Sequence, residues 1–141
     1  MDGFWRMDDV ILSKKESLER CIRQVGIYNA IPSDLPLERD FLRQDAIALN
    51  LQRAAELCLD MANHVVRRRK LGLPKDSRET FTLLETAGII PAVLGAKLRG
   101  MVGFRNILVH EYQDMRMEIF RNVVEHGLDD LVEFSSILAR L

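Results

Sequence analysis

Cysteine is scarce in this 141-residue chain, and the two that occur, Cys21 and Cys58, sit among apolar residues at helical spacing. That argues against a disulfide framework and predicts reduced core side chains in a cytoplasmic protein. An excess of one charge sign is lacking as well: 20 basic and 21 acidic side chains leave a formal net charge of -1. No global basic field advertises nucleic acid, so any such contact must use a local patch. No apolar run approaches the roughly 20 residues that span a bilayer. The acidic start, Met1 to Asp9, lacks the charged-then-apolar layout of a signal peptide. No useful stretch alternates at the strand period, which leaves a β-sheet without support. Proline (four) and glycine (eight) are few, and no internal repeat or low-complexity tract is present.

What is there is a chain with 48% hydrophobic residues, long enough for one core and too short for two. A single domain over residues 1–141 is expected, with residues 1–6 as a loose tail if Met7 is an alternative start. Val10, Ile11, Leu18, Cys21, Ile22 and Val25 keep a helical period that predicts a first helix ending at Gly26. A second, long helix is predicted from about Leu37 to Lys70, with Phe41, Leu42, Ala48, Leu49, Ala55, Cys58, Met61, Ala62 and Val65 facing inward. Asp76 with Glu79 makes a capping-box pattern for a short third helix ending near Ala87-Gly88. Pro91 suits the first turn of a fourth, which carries Val93, Leu94, Leu98, Met101 and Phe104. A further stretch through Met117, Ile119, Phe120, Val123 and Val124 should break at Gly127, and a last one runs from Leu128 to Leu141. The fold class this predicts is all-α, an up-and-down bundle of four to five helices.

Chemically capable side chains crowd into one place, Arg105-Asn106-Ile107-Leu108-Val109-His110-Glu111-Tyr112. A permanent guanidinium, an amide, an imidazole and a phenol together can bind a phosphodiester and move a proton near neutral pH. On an ideal helix Phe104, Ile107 and Leu108 take the core-facing arc, while Arg105, Asn106, His110 and Tyr112 are displayed on the other. Asn106 and His110, four apart, can touch, and Arg105 and Tyr112 nearly eclipse. Arg105 and His110 diverge by about 140°, so a distorted helix or a second subunit is needed to focus both on one atom. The bland alternative is a solvated Arg and His near the negative pole of a helix.

The order R-N-x-x-x-H-x-Y resembles the signature of the HEPN superfamily of helical nucleases, in the variant found in HepT-type toxins. The long second helix is similar too, through Gln52-Arg53-Ala54-Ala55-Glu56 and then Asp60, Asn63 and His64. The resemblance takes in most of the chain. It implies a two-fold dimer whose motifs line a shared cleft, and the toxin role in a toxin-antitoxin module. It also implies an MntA-like minimal nucleotidyltransferase antitoxin that transfers AMP from ATP onto the motif tyrosine, here Tyr112.

On this reading His110 is the general acid or base, Arg105 binds the scissile phosphate, and Asn106 orients His110 or the phosphate. Tyr112 bonds or stacks on substrate. RNA brings its own nucleophile, the 2′-hydroxyl, so neither metal nor cofactor is required, and tRNA or mRNA is the expected substrate. Arg53, Glu56, Asp60 and His64 are expected to back or line the cleft; a metal site on the Glu56-Asp60-His64 stripe is the weaker alternative, for lack of partner ligands. Arg67-Arg68-Arg69-Lys70, the one concentrated basic run, serves either the helix dipole or an RNA backbone. His126 reads as a C-cap residue, Tyr28 as structural and Trp5 as a packing or tail residue. A non-catalytic nucleotide- or RNA-binding module partnering a nucleotidyltransferase, and a ligand-free helical dimer, remain the other classes.

Overall fold

The structure, a computed structural model, describes residues 2–141, with side chains from Asp9 onward. Residues 2–6, expected as a loose tail, are helical backbone at the start of the first helix, whereas the expectation for the Trp5 side chain lies outside the side chains so described. Four helices come first: α1 (Asp2–Ala30), α2 (Phe41–Arg68), α3 (Ser77–Thr86) and α4 (Ala92–His110). A 3-10 turn (Tyr112–Asp114) leads into α5 (Met117–Asn122), a π-helical turn (Val123–Gly127) and α6 (Leu128–Ala139). No strand occurs among the described residues. The all-α bundle anticipated from periodicity is the observed one.

α2 is the spine, about 42 Å long at the usual rise per residue, with α1, α3, α4 and α6 all packed on it. Its inward face is built from Ile47, Ala48, Leu51, Ala54, Ala55, Cys58, Met61, Ala62, Val65 and Val66. The four alanines let neighbouring helices approach closely while the longer side chains interdigitate. The Asp40 carboxylate accepts from Arg43 N at 3.2 Å and starts the helix. Asp76 does the same for α3, accepting from Glu79 N at 2.8 Å.

Apolar side chains gather in two clusters. The larger holds α1, α2, α3, α4 and α6 together and contains an edge-to-face pair, Phe81 and Phe134, with ring centroids 5.6 Å apart. The smaller joins Val25, Leu37, Ile47, Ala48, Leu51, Phe104, Leu108, Phe120 and Val124. It lies directly beneath the segment that carries the motif. Cys21 and Cys58 are both free and buried.

Several expected boundaries move. α1 runs past Gly26 to Ala30; that glycine is not among those with positive φ, and a Cβ there would meet nothing within 4 Å, so it acts as no cap. α2 begins at Phe41 rather than Leu37, which is buried ahead of the Asp40 cap, and ends at Arg68 rather than Lys70. Phe41 and Leu42, in the first turn of α2, point outward, 66% and 86% exposed. Leu49, Val93 and Ile119 are also exposed rather than inward. Gly127 does not break the last segment: with φ -80 and ψ -18 it stays right-handed, and the extra residue is absorbed as a π turn. His126 is therefore an exposed residue inside that turn, 3.8 Å from the Glu125 carboxylate, and not a cap.

Candidate active site on α4 and α2

Leu94, Leu98, Val102, Phe104 and Leu108 bury one side of α4, and that burial turns Arg105, Asn106 and His110 to the other. Arg105 is half-buried and held. Its Nη2 donates to Glu56 Oε1 on α2 at 3.1 Å, and Nη1 donates to Asn106 Oδ1 at 3.3 Å. Gln52 Nε2 donates to the same Glu56 oxygen at 3.1 Å, fixing the carboxylate from behind. The Arg105 Nε is shielded from solvent without a partner. A guanidinium has five N–H groups, so one on each terminal nitrogen is left to grip an anion.

His110 closes α4 and is exposed, with no hydrogen-bond or ionic partner among the described residues. Asn106 leans on Arg105, not on His110 as the four-residue spacing allowed. The helix remains regular through His110, ending with Glu111 N bonded to Ile107 O at 2.9 Å, so Arg105 and His110 keep their divergence of about 140°. One chain displays both groups without focusing them on one atom.

Tyr112 departs from expectation. The backbone leaves the helix at Glu111, φ -141 and ψ 38, and the following turn folds Tyr112 back against α2 instead of above Arg105. Its ring packs on the smaller apolar cluster, and its hydroxyl faces Gln44 Oε1 at 3.1 Å and Asp45 Oδ1 at 3.0 Å. The single proton serves one acceptor at a time. Burial first, then the hydrogen bond to Asp45 and its charge, raise this phenol above the ordinary tyrosine range. Asp45, Ala48, Leu49, Gln52, Leu108 and Tyr112 bound an open cavity of about 270 Å³. Gln44 and Asp45 carried no signal in the sequence, because only the turn after α4 brings Tyr112 to them.

The stripe on α2 does not act as one unit. Glu56 reaches Arg105, whereas Asp60 pairs with Lys14 of α1 at 3.5 Å. His64 is half-buried with Nε2 unpartnered; burial first, then Arg67, Arg68 and Lys14, hold it below the usual histidine range. Arg53 faces the groove between α1 and α2 rather than Arg105. Of the four, Glu56 alone touches the motif. Among the described residues no three His, Cys, Asp or Glu side chains are grouped to hold a metal ion.

Arg67, Arg68, Arg69 and Lys70 are exposed at the far end of α2, roughly 17–21 Å along the axis from Glu56. Lys70 takes the left-handed conformation, φ 55, that lets Leu71 N bond Val66 O at 3.0 Å and close the helix. The run is thus part of a helix end and does not join the motif within the chain.

Comparison with known proteins places this arrangement. The model of the family described as HepT-like, ribonuclease HepT-like, matches residues 18–138. The chain belongs to that family. This HepT-like chain is 40% identical over 132 residues to the mRNA nuclease HepT of Shewanella oneidensis, covering 94% of the chain and 98% of the relative. It is similar to the solved structure of a tri-AMPylated Shewanella oneidensis HEPN toxin in complex with MNT antitoxin: TM-score 0.88, 39% identity, 94% of this chain and 98% of that one. A toxin-antitoxin structure with AMP-PNP gives TM-score 0.88 and 38% identity, over 94% of this chain and 99% of that one. The cytosolic protein YutE of Bacillus subtilis shares the fold alone, at 14% identity and TM-score 0.73 over 91% of this chain and 87% of that one. Among the described residues no helix is long and apolar enough to cross a membrane.

Proposed function

We propose that this HepT-like chain is the toxin of a toxin-antitoxin module, a cytoplasmic, metal-independent endoribonuclease. The observation that carries the reading is the Arg105 guanidinium, held by Glu56 and Asn106 with two N–H groups spare, beside a displayed and unpartnered His110 on the same helix.

Arg105 binds the scissile phosphate and stabilises the charge that grows on its oxygens as the 2′-hydroxyl attacks. His110 moves the proton, since an imidazole titrates near working pH. The 2′-oxygen bonds to phosphorus, the bond to the 5′-oxygen breaks, and that oxygen leaves protonated. The products are a 2′,3′-cyclic phosphate, or its hydrolysed form, and a 5′-hydroxyl. The divergence of Arg105 and His110 is met by a two-fold dimer, in which groups of both chains face one cleft. The identity to an mRNA nuclease favours mRNA over tRNA as substrate. Arg67, Arg68, Arg69 and Lys70 serve a longer RNA strand only where that strand extends to the far end of α2.

Tyr112 is the acceptor for an MntA-like nucleotidyltransferase partner. Its oxygen attacks the α-phosphate of ATP, pyrophosphate leaves and the phenolic proton is released. The added AMP brings bulk and negative charge to the edge of the cleft and repels an RNA phosphate. The likeness to a tri-AMPylated toxin in complex with MNT antitoxin supports this.

The test is incubation of the purified protein with total RNA, beside His110→Ala, with mapping of fragment ends. Cleavage with cyclic-phosphate ends, resistant to EDTA and lost in the variant, is expected. Binding without cleavage in both proteins would instead mark a non-catalytic RNA- or nucleotide-binding module.

A further inference from the structure

A concavity lies outside the motif, in the groove between α1 and α2. It has a volume of about 550 Å³, within the range of small-molecule sites, roughly 300–1,000 Å³. Four charged side chains line it, and they are not equivalent. Glu56 is already paired with Arg105 at 3.1 Å, and Asp60 with Lys14 at 3.5 Å. Arg20 of α1 and Arg53 of α2 are exposed and have no carboxylate within 4 Å among the described residues. The uncompensated charge of the groove is therefore positive, although the whole chain is nearly neutral.

Placement adds to charge. Cys21 on the floor senses both guanidiniums: burial raises its pKa, and the charges of Arg53 and Arg20 oppose that rise, which puts both arginines around the same point. Tyr28 supplies an aromatic wall, suited to stacking a base. Glu56 lines the groove and also holds Arg105, so the groove and the motif adjoin through one side chain.

We propose that the α1–α2 groove is a nucleotide subsite for single-stranded RNA next to the scissile phosphate, with Arg20 and Arg53 gripping a flanking phosphate and Tyr28 offering its ring to a base. The assignment rests on the ribonuclease reading for its substrate class, but it is a separate site made by separate residues. It also gives the nearly neutral chain the local basic patch that nucleic-acid binding requires. Arg67 to Lys70 lie at the other end of α2 and do not contribute.

Fluorescence anisotropy with a labelled single-stranded oligoribonucleotide tests it, in a His110→Ala background so that the probe stays whole. Arg20→Ala and Arg53→Ala are each expected to weaken binding about tenfold, the scale of a charge-assisted hydrogen bond to phosphate. The slope of log affinity against log salt should flatten by about 0.7 for each phosphate no longer neutralised. Arg140→Ala, an exposed arginine at the C-terminal end of the bundle, is the control and should match its parent. Thermal melts establish that the variants fold. A double Arg20→Ala, Arg53→Ala variant with the parent's affinity and salt slope overturns the subsite, even if the wild type cleaves RNA. A wild type that cleaves nothing, while the double variant still loses binding, removes the nuclease reading and leaves the subsite standing. Unchanged RNA affinity with weakened antitoxin binding overturns it in favour of a protein contact.

Discussion

The hydroxyl of Tyr112 and the carboxylate of Asp45 stand 3.0 Å apart, across the junction between the turn after α4 and the first turns of α2. Asp45 favours the protonated phenol, so Tyr112 stays neutral where an ordinary tyrosine begins to ionise near pH 10. The sign follows: a raised folded-state pKa means the native chain holds a proton the unfolded chain gives up, so stability falls as pH climbs above about 10. Asp45→Asn should move phenolate formation to lower pH. An ultraviolet titration in a Tyr28→Phe background, which leaves Tyr112 as the one tyrosine, reads the change. Coincident curves with and without the Asp45→Asn substitution would mean that burial alone sets the shift.

Glu56 orients Arg105 and also competes with phosphate for it, and the two roles predict opposite effects of its removal. Orientation should win. The carboxylate takes one N–H from Nη2 and leaves others free, whereas an unanchored guanidinium must be ordered anew in each turnover. Glu56→Ala is expected to lower kcat on the order of tenfold, about 1.4 kcal/mol, with a smaller change in KM. Steady-state cleavage of a defined RNA checks this; a raised kcat/KM would show that competition dominates.

The core positions Ala48, Ala55, Cys58, Met61, Ala62 and Val65 of α2, though not Leu49 among them, the Asp76 cap and the start of α4 were legible because each is a local pattern, periodicity or capping chemistry, acting within a few residues. Arg105, Asn106 and His110 were legible as a displayed set for the same reason. Tyr112 was misplaced because the helix ends at His110, and no glycine or proline marks that end. Gly26 and Gly127 misled in the other direction, as glycines inside continuing helical backbone. Phe41, Leu42 and Val93 have the right period to be core, but whether another helix lies opposite them is a property of the bundle, not of the stretch. Arg53, placed by resemblance at the cleft of the motif, lies in the α1–α2 groove instead, because which neighbouring helix an α2 side chain faces is set by the packing of the bundle.

Phe134 should be a dominant contributor to stability and a negligible one to chemistry. It is fully buried in the larger cluster, edge-on to Phe81, whereas the motif rests on the smaller cluster. Phe134→Ala is expected to cost about 3–5 kcal/mol in urea unfolding, from lost burial and the cavity left behind. Any variant that remains folded at low temperature should keep its cleavage activity per folded molecule. Loss of activity without loss of fold would show the two clusters to be coupled.

His64 makes the stability of the chain depend on pH on the acid side. Burial, then the positive charges of Arg67, Arg68 and Lys14, depress its pKa, so the native state refuses a proton that the unfolded chain accepts near pH 6.5. The stability contributed by the neutral imidazole is fully present above about pH 6.5 and is lost as pH falls through the depressed folded value. His64→Leu keeps an apolar filling, removes the unpartnered Nε2 and removes this titration. The variant should be as stable as the parent or slightly more so at pH 7.5, and its melting temperature should decline less between pH 6.5 and 5. His110 and His126 are present in both proteins, so the comparison isolates His64. Parallel melting-temperature profiles would place the acid sensitivity elsewhere.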